Sequence, residues 1–544
     1  MNYPYENLEN FTLPSLVDRS KKLFSNNNSF AHVGKKAMSY KEFNTQIHKT
    51  IDLLKRNGIK KGDKVLLLSE NMPHWGVAYF AVTYFGGVIV PVLSDFHPSD
   101  VHRIIQHAEA KAAFVSSKFQ KTIQECENSP IQFSINLESL AIIDEISNQE
   151  YLQKALPADT NIELEKPEEE DLASLIYTSG TTGNSKGVML SHKNLITNAM
   201  SAYTHISIKE DDVSLSVLPL AHTFECTTGL IIPVLHGSSV YYIEKVPTPS
   251  VLLKSFSIVQ PTMILMVPLI IEKIYKNKIL PTFTASTLMK FLYSISFIRK
   301  QLNKIAGKKL LETFGGKLRF CGIGGAAISP YVEEFLIEAK FPFIIGYGLT
   351  ETAPLLAGSV LGKPSKFKST GTPMAGVEIK IKNPDATGKG EIIARSPSIM
   401  MGYYKDQEKT DEVIIDGWFH TGDLGYIDDD GYLFINGRSK NMLLGPAGEN
   451  IYPEQIEAII NQNPLVLDSL MMHDKENRLI AKVHLDYEKV DKSDKKVINS
   501  LLEDIRKDVN LQISSFSRMQ KFIEQEEEFI KTPTKKIKRF LYTE

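Results

Sequence analysis

Short, uninterrupted apolar segments alternate with amphipathic segments through the first 440 residues, and this alternation constrains the fold more than any other feature. "SYKEFNTQIHKTIDLLKRNG" (39–58) has helical spacing, with Ser39 as N-cap and Gly58 as its end. "KVLLLS" (64–69), "AKAAFVSS" (110–117) and "PTMILMVP" (261–268) read as buried strands. Such continuous apolar strands belong to sheets that are covered on both faces. The sequence therefore predicts an α/β fold of layered sheets and helices.

Residues 75–93, "WGVAYFAVTYFGGVIVPVL", form a charge-free segment that resembles a membrane span in composition. Gly86 and Gly87 divide it into a helix-like half and a β-branched half, "VIVPV". Neither half is long enough to cross a bilayer. We therefore expect a buried helix followed by a buried strand.

The C-terminal part of the chain differs from the rest. It is rich in lysine and carries two helical patterns, "PEQIEAIINQ" (453–462) and "DKKVINSLLEDIRKDVN" (494–510). We place a boundary near Lys440, which gives an N-terminal domain of residues 1–439 and a small, mobile α+β domain of residues 440–544. The basic tail "TPTKKIKRFLYTE" has, from composition alone, the character of a frayed terminus.

Charge and cysteine usage exclude several classes of protein. The formal net charge of the 544 residues is −2, so no basic excess points to nucleic acid. The three cysteines are far apart, which argues against a disulfide framework or a zinc site and suits a reducing cytoplasm. The first twenty residues lack the apolar region of a signal peptide. An acidic run, "EKPEEED" (165–171), is most simply a solvated linker.

The stretch "YTSGTTGNSKGV" (177–188) concentrates glycine, hydroxyl side chains and one lysine. It does not match the P-loop, because Ser185 stands where the second glycine should be and Asn184 follows Gly183. Backbone N–H groups in a glycine-rich turn can nevertheless form an anion-binding nest, with hydroxyls and an ammonium as further donors. We predict a phosphate site, with a flexible surface loop as the alternative. Its candidate ligands are Thr178, Ser179, Gly180, Thr181, Thr182 and Lys186.

Five further stretches accompany this loop in a characteristic order. They are "LPLAHTFE" (218–225), "GGAAIS" (324–329), "GYGLTET" (346–352), "DGWFHTGDLGYIDDDGYLFINGRSKNML" (416–443) and "KTPTKKIKR" (531–539). Together with "YTSGTTGNSKGV" they resemble the adenylate-forming superfamily of acyl-CoA synthetases, adenylation domains and luciferases. Each stretch alone is moderately specific, and all six in this order are very specific. The resemblance extends from about residue 10 to the C-terminus, so we expect this architecture for the whole chain.

The resemblance implies roles around ATP. Glu351 matches the carboxylate that holds Mg²⁺, beside Thr350 and Thr181. Mg²⁺ on the phosphates with a carboxylate ligand suits phosphoryl chemistry, in which catalysis is mainly positioning and electrostatics.

The adenine site is implied by two glycine-containing stretches. Tyr347, between Gly346 and Gly348, matches the residue that stacks on adenine. Gly325 and Ala326 match the opposite wall of the site. Small residues at these positions let the backbone approach the base.

The ribose, the reacting groups and the hinge are matched by five further residues. Asp423 and Arg438 match ribose ligands, and Asp423 alone could equally cap a turn. Lys536 matches the near-terminal catalytic lysine, whose ammonium bridges the substrate carboxylate and the α-phosphate. Lys440 matches the hinge about which the C-terminal domain rotates between half-reactions. His222 matches a residue at the mouth of the acyl pocket; its alternative is a structural histidine.

The chain departs from the superfamily pattern at two places. The residue before the catalytic lysine is often glycine and is Lys535 here. Leu444 stands where a lysine often follows the hinge. The second departure puts one phosphate or thiol contact in doubt, but not the reaction.

The identity of the acid is indicated by the branch that the motifs resemble. "PLAHTFE" and the "HTGDLG" block look like long-chain fatty acyl-CoA synthetases. The basic, amphipathic segment 280–314 resembles the extra helical region of those enzymes. Its apolar residues line an acyl tunnel, contact a membrane surface or, in the plainest interpretation, belong to the core: Met289, Phe291, Leu292 and Phe297.

The predicted function is therefore the AMP-forming ligation of a fatty acid, expected to be long-chain, to coenzyme A, with ATP and Mg²⁺. Three alternatives remain: loading of a separate carrier protein, a ligase for an aromatic or shorter acid, and an inactive homologue. Intact Lys536 and Glu351 count against the last of these. The expected location is the cytoplasm, with peripheral contact at the inner membrane surface as an addition.

Overall fold

The computed structural model describes residues 8–143, 150–151, 165–178, 185–445, 449–532 and 536–542. Within these ranges, we find no helix with the length and apolar character needed to span a membrane.

The α-helices of the described residues are distributed over the whole chain. They are Leu13–Phe24 (α1), Tyr40–Arg56 (α2), Pro73–Tyr84 (α3), Pro98–Ala108 (α4), Gln120–Gln124 (α5), His192–Tyr203 (α6), Thr223–Cys226 (α7), Ile232–His236 (α8), Pro249–Val259 (α9), Pro268–Ile274 (α10), Leu280–Thr284 (α11), Thr287–Ser294 (α12), Ser296–Thr313 (α13), Pro330–Glu338 (α14), Gln407–Val413 (α15), Pro453–Ile460 (α16) and Lys495–Asn510 (α17).

The strands alternate with these helices and become consecutive after residue 343. They are Phe30–His32 (β1), Lys64–Leu68 (β2), Val88–Val92 (β3), Ala112–Val115 (β4), Phe133–Asn136 (β5), Ala141–Ile143 (β6), Glu150–Tyr151 (β7), Leu172–Thr178 (β8), Lys186–Ser191 (β9), Val213–Ser216 (β10), Ser239–Tyr242 (β11), Met263–Met266 (β12), Phe320–Ile323 (β13), Phe343–Gly348 (β14), Leu355–Gly358 (β15), Thr372–Pro373 (β16), Glu378–Lys382 (β17), Gly390–Arg395 (β18), Gly402–Tyr403 (β19), Ile414–Ile415 (β20), Trp418–Ile427 (β21), Leu433–Arg438 (β22), Leu443–Leu444 (β23), Asn450–Ile451 (β24), Val466–His473 (β25), Leu479–Leu485 (β26) and Lys521–Glu524 (β27).

Two large sheets form the body of the protein. One has the strand order β1-β11-β10-β12-β13-β14-β15-β16, and the other has the order β19-β9-β8-β3-β2-β4-β5-β6-β7. Their central pairs are parallel. Antiparallel strands close both edges of the nine-stranded sheet and the β16 edge of the eight-stranded sheet, whose other edge strand, β1, is parallel to β11. Parallel strands require crossover connections, and the helices that supply them cover both faces. This confirms the α/β architecture predicted from the continuous apolar strands.

Local sequence explains why the predicted elements form. Helix α2 begins at a capping box in which the Ser39 hydroxyl accepts from the Glu42 N–H and the Glu42 carboxylate accepts from the Ser39 N–H. Its apolar residues are buried on one face. The charge-free segment is a buried helix, α3, followed by a buried strand, β3, as predicted. In β3 every residue is buried, because β2 and β8 flank it in the sheet.

The acidic run at 165–171 is not simply a solvated linker. Glu169 accepts a hydrogen bond from the Phe11 N–H at 3.0 Å. Asp171 pairs with Lys61 at 3.0 Å. Lys61 and Phe11 are more than 100 residues away from the run in the sequence, so composition could not predict these contacts.

A separate small unit follows residue 449. Strands β25, β26 and β27 form a three-stranded sheet, and helices α16 and α17 contribute apolar residues to a core of its own. Helix α17 starts at Asp494, whose carboxylate accepts from the backbone N–H groups of Lys496 and Val497. Both helices lie where the sequence predicted them.

Candidate active site

The carboxyl edge of the eight-stranded sheet gathers most of the candidate residues. Strands β10, β12, β13 and β14 run parallel, so the segments that follow them meet at one edge. His222 follows β10, Gly325 and Ala326 follow β13, and Tyr347 is the next-to-last residue of β14. In open α/β sheets this edge is where ligands bind.

The start and end of the predicted phosphate loop are fixed by a strand pair. Thr178 ends β8 and lies opposite Lys186, the first residue of β9. The residues between them that were predicted to bind phosphate, namely Ser179, Gly180, Thr181 and Thr182, lie outside the described residues. The strand pair therefore anchors both ends of the loop at the site.

Lys186 faces Tyr403 and a carboxylate. Its ammonium lies 4.5 Å from the centre of the Tyr403 ring, a cation–π distance. The pKa of Lys186 is lowered by loss of water and by the charge of Lys440, while Glu351 opposes the shift. Lys186, Lys440 and Glu351 thus share one electrostatic neighbourhood.

Glu351 lies in a tight turn, Thr350–Thr352, directly after β14. The Tyr403 hydroxyl donates to its Oε1 at 2.9 Å, and its backbone carbonyl accepts from the Met400 N–H at 2.8 Å. Asn198, which is fully buried on α6, stabilises the turn. Its amide donates to the Thr352 carbonyl at 3.1 Å. The turn holds both Thr350 and the Glu351 carboxylate in place.

Glycines at the predicted adenine site pack closely or adopt special geometry. A Cβ on Gly348 would lie 1.8 Å from the Pro354 carbonyl oxygen, and one on Gly346 would lie 3.1 Å from a Leu355 methyl. Gly325 has φ +84°, in the left-handed region that favours glycine. Ala326 beside it is exposed. At these positions the backbone is not covered by large side chains, so a ligand at the sheet edge can approach it closely.

Tyr347 is tied to the predicted ribose ligands. Its hydroxyl donates to Asp423 Oδ2 at 2.7 Å, and burial together with the Asp423 charge raises its pKa far above the usual value. Asp423 lies opposite Arg438 in the β21–β22 register, and its Oδ1 is 3.0 Å from Arg438 Nε. The two predicted ribose ligands therefore also bind each other. A carboxylate retains further lone pairs for ribose hydroxyls.

Lys536 extends from the C-terminal unit into this neighbourhood. Its backbone N–H donates to the Thr532 hydroxyl at 3.1 Å, and its carbonyl accepts from the Thr532 N–H at 2.7 Å. The side chain retains contact with water. Partial loss of water and the charge of Arg438 lower the pKa of Lys536, whereas Asp423 and Glu351 oppose the shift. The structure thus brings Lys536 among the charged groups of the large domain.

Ion pairs fasten the tail that carries Lys536, so it is not the frayed end suggested by its composition. Arg539 donates to Glu457, a buried carboxylate on α16. Lys531 pairs with Asp468 at 2.7 Å. Near the predicted hinge, the Asn441 amide donates to Glu454 at 2.6 Å, and Arg539 lies 3.9 Å from the same Glu454 oxygen.

His222 caps the short helix α7. Its Nδ1 accepts from the Phe224 N–H at 3.3 Å. Burial and the nearby Lys536 ammonium lower the pKa of His222 to about 4, so the imidazole is neutral at pH 7. The charge of Lys536 therefore acts on His222 although 314 positions separate the two residues in the chain.

A neutral carboxyl lies on α7, three residues after His222. Glu225 is buried, and burial raises its pKa to about 8 despite a hydrogen bond from the Ser216 hydroxyl at 2.6 Å. The Asn71 amide donates to that same hydroxyl at 2.9 Å. The group is therefore mostly protonated at pH 7 and belongs to a buried hydrogen-bond network.

Sequence reasoning missed three residues of this neighbourhood: Tyr403, Asn198 and Glu225. Tyr403 is 52 positions from its partner Glu351, and Asn198 is 154 positions from Thr352. No local pattern links such pairs. Glu225 stands inside the quoted stretch "LPLAHTFE", so an acid within an apolar segment was the available signal for it.

An apolar cavity lies beside Gly346. Its lining includes Phe224, Leu265, Ile323, Ile345 and Met374. Phe224 is two residues from His222, so the cavity and the polar site adjoin.

Comparison with known proteins begins with a family. The family model described as "AMP-binding enzyme" matches residues 20–404. Long chain acyl-CoA synthetase 7, peroxisomal, of Arabidopsis thaliana is 30% identical over 474 residues, which are 79% of this chain and 66% of that protein. Fatty acyl-CoA synthetase A of Dictyostelium discoideum is 28% identical over 493 residues, which are 84% of this chain and 73% of that protein. The chain thus spans about two thirds of the length of the first relative.

Two solved structures illustrate the shared fold. The anthranilate CoA ligase AuaEII, solved in complex with anthranoyl-AMP, has a TM-score of 0.80 at 22% identity and covers 99% of this chain and 98% of its own. ATP-bound MatB from Rhodopseudomonas palustris has a TM-score of 0.78 at 22% identity and covers 98% of each chain. These likenesses show the fold and confirm the predicted architecture.

Proposed function

The chain belongs to the AMP-binding enzyme family, and on that premise we propose that it activates a fatty acid with ATP and transfers the acyl group to coenzyme A. The products are acyl-CoA, AMP and pyrophosphate. The observation that supports this most is that the charges of Arg438, Asp423 and Glu351 all act on the Lys536 ammonium, while Asp423 and Arg438 form an ion pair with each other.

The first half-reaction is a phosphoryl-centred displacement. A carboxylate oxygen of the acid attacks the α-phosphorus of ATP, and the bond from that phosphorus to the bridging oxygen of pyrophosphate breaks. The acyl-adenylate and pyrophosphate result. Negative charge spreads over the phosphoryl oxygens in the transition state, so fixed cations aimed at them lower the barrier. We assign this role to the ammonium of Lys536.

Lys186 is proposed to bind the β- and γ-phosphates together with the 178–182 segment. Its pKa is lowered while it lies among protein charges. A polyphosphate would supply the anionic partner that offsets the charge of Lys440 nearby. Thr178 and Lys440 complete the phosphate side in this proposal.

The nucleoside is proposed to lie between the two glycine-containing stretches. Tyr347 and the backbone of Gly346 and Gly348 would contact one face of adenine, and Gly325 and Ala326 the other. The nearly buried Tyr347 ring is held by its bond to Asp423. That bond couples the adenine wall to the ribose ligands, which are Asp423 and Arg438.

The donor set fits Mg²⁺ with few protein ligands. Glu351 offers carboxylate oxygens, one of which accepts from Tyr403. Among the described residues, no group of three or more His, Cys, Asp or Glu side chains is placed to hold a metal. Mg²⁺ commonly keeps one or two carboxylates and takes its other ligands from phosphates and water. When bound, it would neutralise phosphate charge, with Glu351 and Thr181 as its proposed protein ligands.

Transfer to CoA requires a different arrangement. The thiolate attacks the acyl carbon, the bond to the AMP oxygen breaks, and AMP leaves. We propose that the chain divides into residues 1–439 and 440–544, and that rotation near Lys440 removes Lys536 before this step. The hinge lies in a short turn, Ser439–Asn441, between two strands. A turn of this kind can absorb a large change in φ and ψ.

The acid is proposed to be long-chain. The support for this is that the relatives named above are acyl-CoA synthetases. The cavity beside Gly346 is apolar, but its volume is about 20 Å³, so a hydrocarbon tail could enter only if the cavity opens. His222, neutral at pH 7, is proposed to orient the carboxylate end. The three free cysteines are buried, which agrees with a reducing cytoplasm as the location.

The decisive experiment measures pyrophosphate release over a panel of acids, with and without CoA. We expect release with fatty acids, highest for long chains, and acyl-CoA formation only when CoA is present. Release with a fatty acid but no use of CoA would instead support loading of a carrier protein. Preference for an aromatic or short acid would overturn the proposed substrate class, and no release with any acid would overturn the activity.

A further inference from the structure

The side chain of Asn71 joins the two large sheets at their carboxyl edges. Asn71 follows β2 of the nine-stranded sheet and precedes α3, whereas Ser216 is the last residue of β10 in the eight-stranded sheet. The Asn71 amide donates to the Ser216 hydroxyl at 2.9 Å and to the Leu218 carbonyl at 2.6 Å. Its Oδ1 accepts from the Leu220 N–H at 2.8 Å. These partners are 145 to 149 positions away in the chain, so only the packing of the two sheets creates the connection.

These bonds hold the backbone segment that leads into His222. Leu218 and Leu220 lie in the irregular link between β10 and α7. A backbone carbonyl or N–H in such a link needs a partner from elsewhere, and the Asn71 amide supplies one for each. The His222 N–H donates to the carbonyl of Pro219 at 2.9 Å. Pro219 lies between the two residues that Asn71 holds, so a shift of this segment would also move His222.

The same hydrogen-bond network reaches His222 from its other side. The Ser216 hydroxyl donates to Glu225 Oε1 at 2.6 Å, and Glu225 lies on α7. The first turn of that helix begins with His222, whose carbonyl accepts from the Cys226 N–H at 2.9 Å. Ser216 therefore links Asn71 to Glu225. Hydrogen bonds that share a partner in a site shielded from water support one another, so loss of the Asn71 amide would also loosen the contact with Glu225.

The orientation of the His222 ring decides which of its two nitrogens can donate. Nδ1 accepts from the Phe224 N–H at 3.3 Å. A backbone N–H can only donate, so Nδ1 carries no proton and the neutral imidazole has its proton on Nε2. The ring is half-buried, so a ligand can still reach it. His222 therefore offers one N–H donor at a fixed position, and a carboxylate oxygen is a matching acceptor.

We propose that Asn71 is a positioning residue for the acid: by holding residues 216–220 it orients the Nε2–H of His222 toward the substrate carboxylate. This rests on the proposed function, in which His222 orients that carboxylate. The three bonds of Asn71 are all to protein groups, so its effect on the acid passes through His222. ATP is proposed to lie against other residues, Lys186 and Tyr347 among them. Loss of Asn71 should therefore affect use of the acid and not binding of the nucleotide.

The first test compares the kinetic constants for the fatty acid and for ATP in pyrophosphate release. We expect Asn71→Ala to lower kcat/KM for the acid by about tenfold, and to change KM for ATP by less than about twofold. In the His222→Ala background, Asn71→Ala should add less than about twofold, because the residue through which it acts is already gone. Additive losses in the double variant, or an equal rise in KM for ATP, would overturn the proposal.

Asn510, at the end of α17, provides a matched control in the C-terminal unit. Its half-buried amide also bridges a carbonyl and an N–H, because it donates to the Met519 carbonyl at 2.9 Å and accepts from the Met519 N–H at 3.0 Å. Asn510→Ala should keep kcat/KM for the acid within about twofold of the wild-type value. An equal loss in both variants would overturn the proposal, since it would reflect a general loss of stability.

Thermal unfolding checks that each variant is folded. If Asn71→Ala is not, Asn71→Asp takes its place with the same expectations, since it keeps the acceptor for the Leu220 N–H and loses both amide donors.

The second test needs no turnover, so it separates failure of this proposal from failure of the proposed function. Histidine rings of the full chain are labelled with ¹⁵N, and the signals of His222 are identified by their loss in His222→Gln. At pH 7 the wild type should show the Nε2–H tautomer at His222. In Asn71→Ala we expect a mixture of tautomers, because the Phe224 N–H is no longer held against Nδ1. Identical His222 signals in the two proteins would overturn the positioning role, whereas a wild type that releases no pyrophosphate with any acid would overturn the proposed function and leave this measurement valid.

Discussion

The two sides of the candidate site are held in place by different kinds of interaction. On the large domain, Tyr347, Asp423 and Glu351 are positioned by strand register and by side-chain hydrogen bonds, in which Tyr347 donates to Asp423 and Tyr403 donates to Glu351. On the C-terminal unit, hydrogen bonds join Lys536 to Thr532, and the flanking residues Arg539 and Lys531 form ion pairs with Glu457 and Asp468. The first arrangement is fixed once the sheet forms. The second belongs to a small unit with its own core, and the proposed rotation would move that unit as a body and leave the first arrangement in place.

This difference matches what the proposed reaction needs. Binding of the nucleotide is required in both half-reactions, and the fixed residues of the large domain serve both. A cation that stabilises the adenylation transition state is required in only one, and a lysine on a movable unit can be withdrawn afterwards. The comparison therefore predicts that changes on the two sides will separate the half-reactions.

The largest effect is expected for Lys536→Ala. Adenylate formation should fall by about 3–5 kcal/mol of transition-state stabilisation, because a fixed positive charge at the developing phosphoryl charge is lost. Formation of acyl-CoA from pre-made acyl-adenylate should stay near the wild-type rate. Pyrophosphate release and thioester formation are measured separately.

Lys538→Ala is the matched control, since it removes a lysine two positions away in the same tail, and it should leave both rates nearly unchanged. Equal loss of both half-reactions in folded Lys536→Ala would contradict the contrast between a fixed and a movable side.

A smaller effect is expected for Arg539→Met, which loosens the tail without touching the reacting groups. Glu457 is buried, and removal of its cationic partner leaves a buried carboxylate that costs free energy or becomes protonated. Adenylation should fall by about tenfold to a hundredfold, equivalent to about 1–3 kcal/mol, because Lys536 spends less time in place. The rate from pre-made adenylate separates a positioning role from unfolding of the C-terminal unit, because unfolding would abolish both.

Arg478→Met offers a control for this prediction. Arg478 pairs with Asp474 at 2.7 Å on the surface of the same small unit, and exposed pairs contribute little to stability. We expect no change in either rate. If both variants show an adenylation defect of the same size, Arg539 does not position the segment that carries Lys536.

The smallest effect concerns the buried hydrogen-bond network of Glu225, Ser216 and Asn71. The pKa of Glu225 rises from the ordinary 4.5 to about 8 in the folded protein. Between these values the folded state binds the proton more often than the unfolded state, so stability falls as pH rises, and the fall levels off above about 8. Replacing Glu225 with Gln keeps a neutral side chain of similar shape. From pH 7 to pH 9 the wild type should lose about 1 kcal/mol more than Glu225→Gln.

The measurement is the difference in apparent unfolding free energy between the two proteins at each pH. Glu333, whose pKa is raised to about 7 by burial, is present in both proteins and cancels in the comparison. If wild type and Glu225→Gln lose stability in parallel, Glu225 is not neutral in the folded state, and the buried network contains a charged carboxylate.

Much of the fold follows from local sequence. The capping box at Ser39, the apolar strand at 64–69 and the division of 75–93 at Gly86 and Gly87 correspond to α2, β2, α3 and β3. These features rest on interactions between residues that are near in the chain, and apolar strands can only be stable when both faces are covered. The family could likewise be identified from the order of the six motifs.

The sequence did not predict which residues would meet outside those motifs. It gave no sign that Tyr403 would bond to Glu351 or that Asn198 would hold the 350–355 turn. It also left open whether Phe291 and Phe297 belong to the core, and in the structure both are exposed. Composition even suggested a frayed end for the tail that Arg539 fastens to Glu457.

What the sequence by itself determined is the set of elements, the family and the chemical types of the candidate ligands. What only the tertiary structure decided is which of these groups lie together, how burial changes their protonation, and which apolar faces stay open. The physical reason is that helix and strand signals come from neighbours within a few positions, whereas contacts, desolvation and charge coupling depend on distances between residues tens to hundreds of positions apart. His222 and Lys536 illustrate this: each lies in a motif, but the low pKa of His222 arises only in the folded chain, where burial and, to a smaller extent, the charge of Lys536 act on the imidazole.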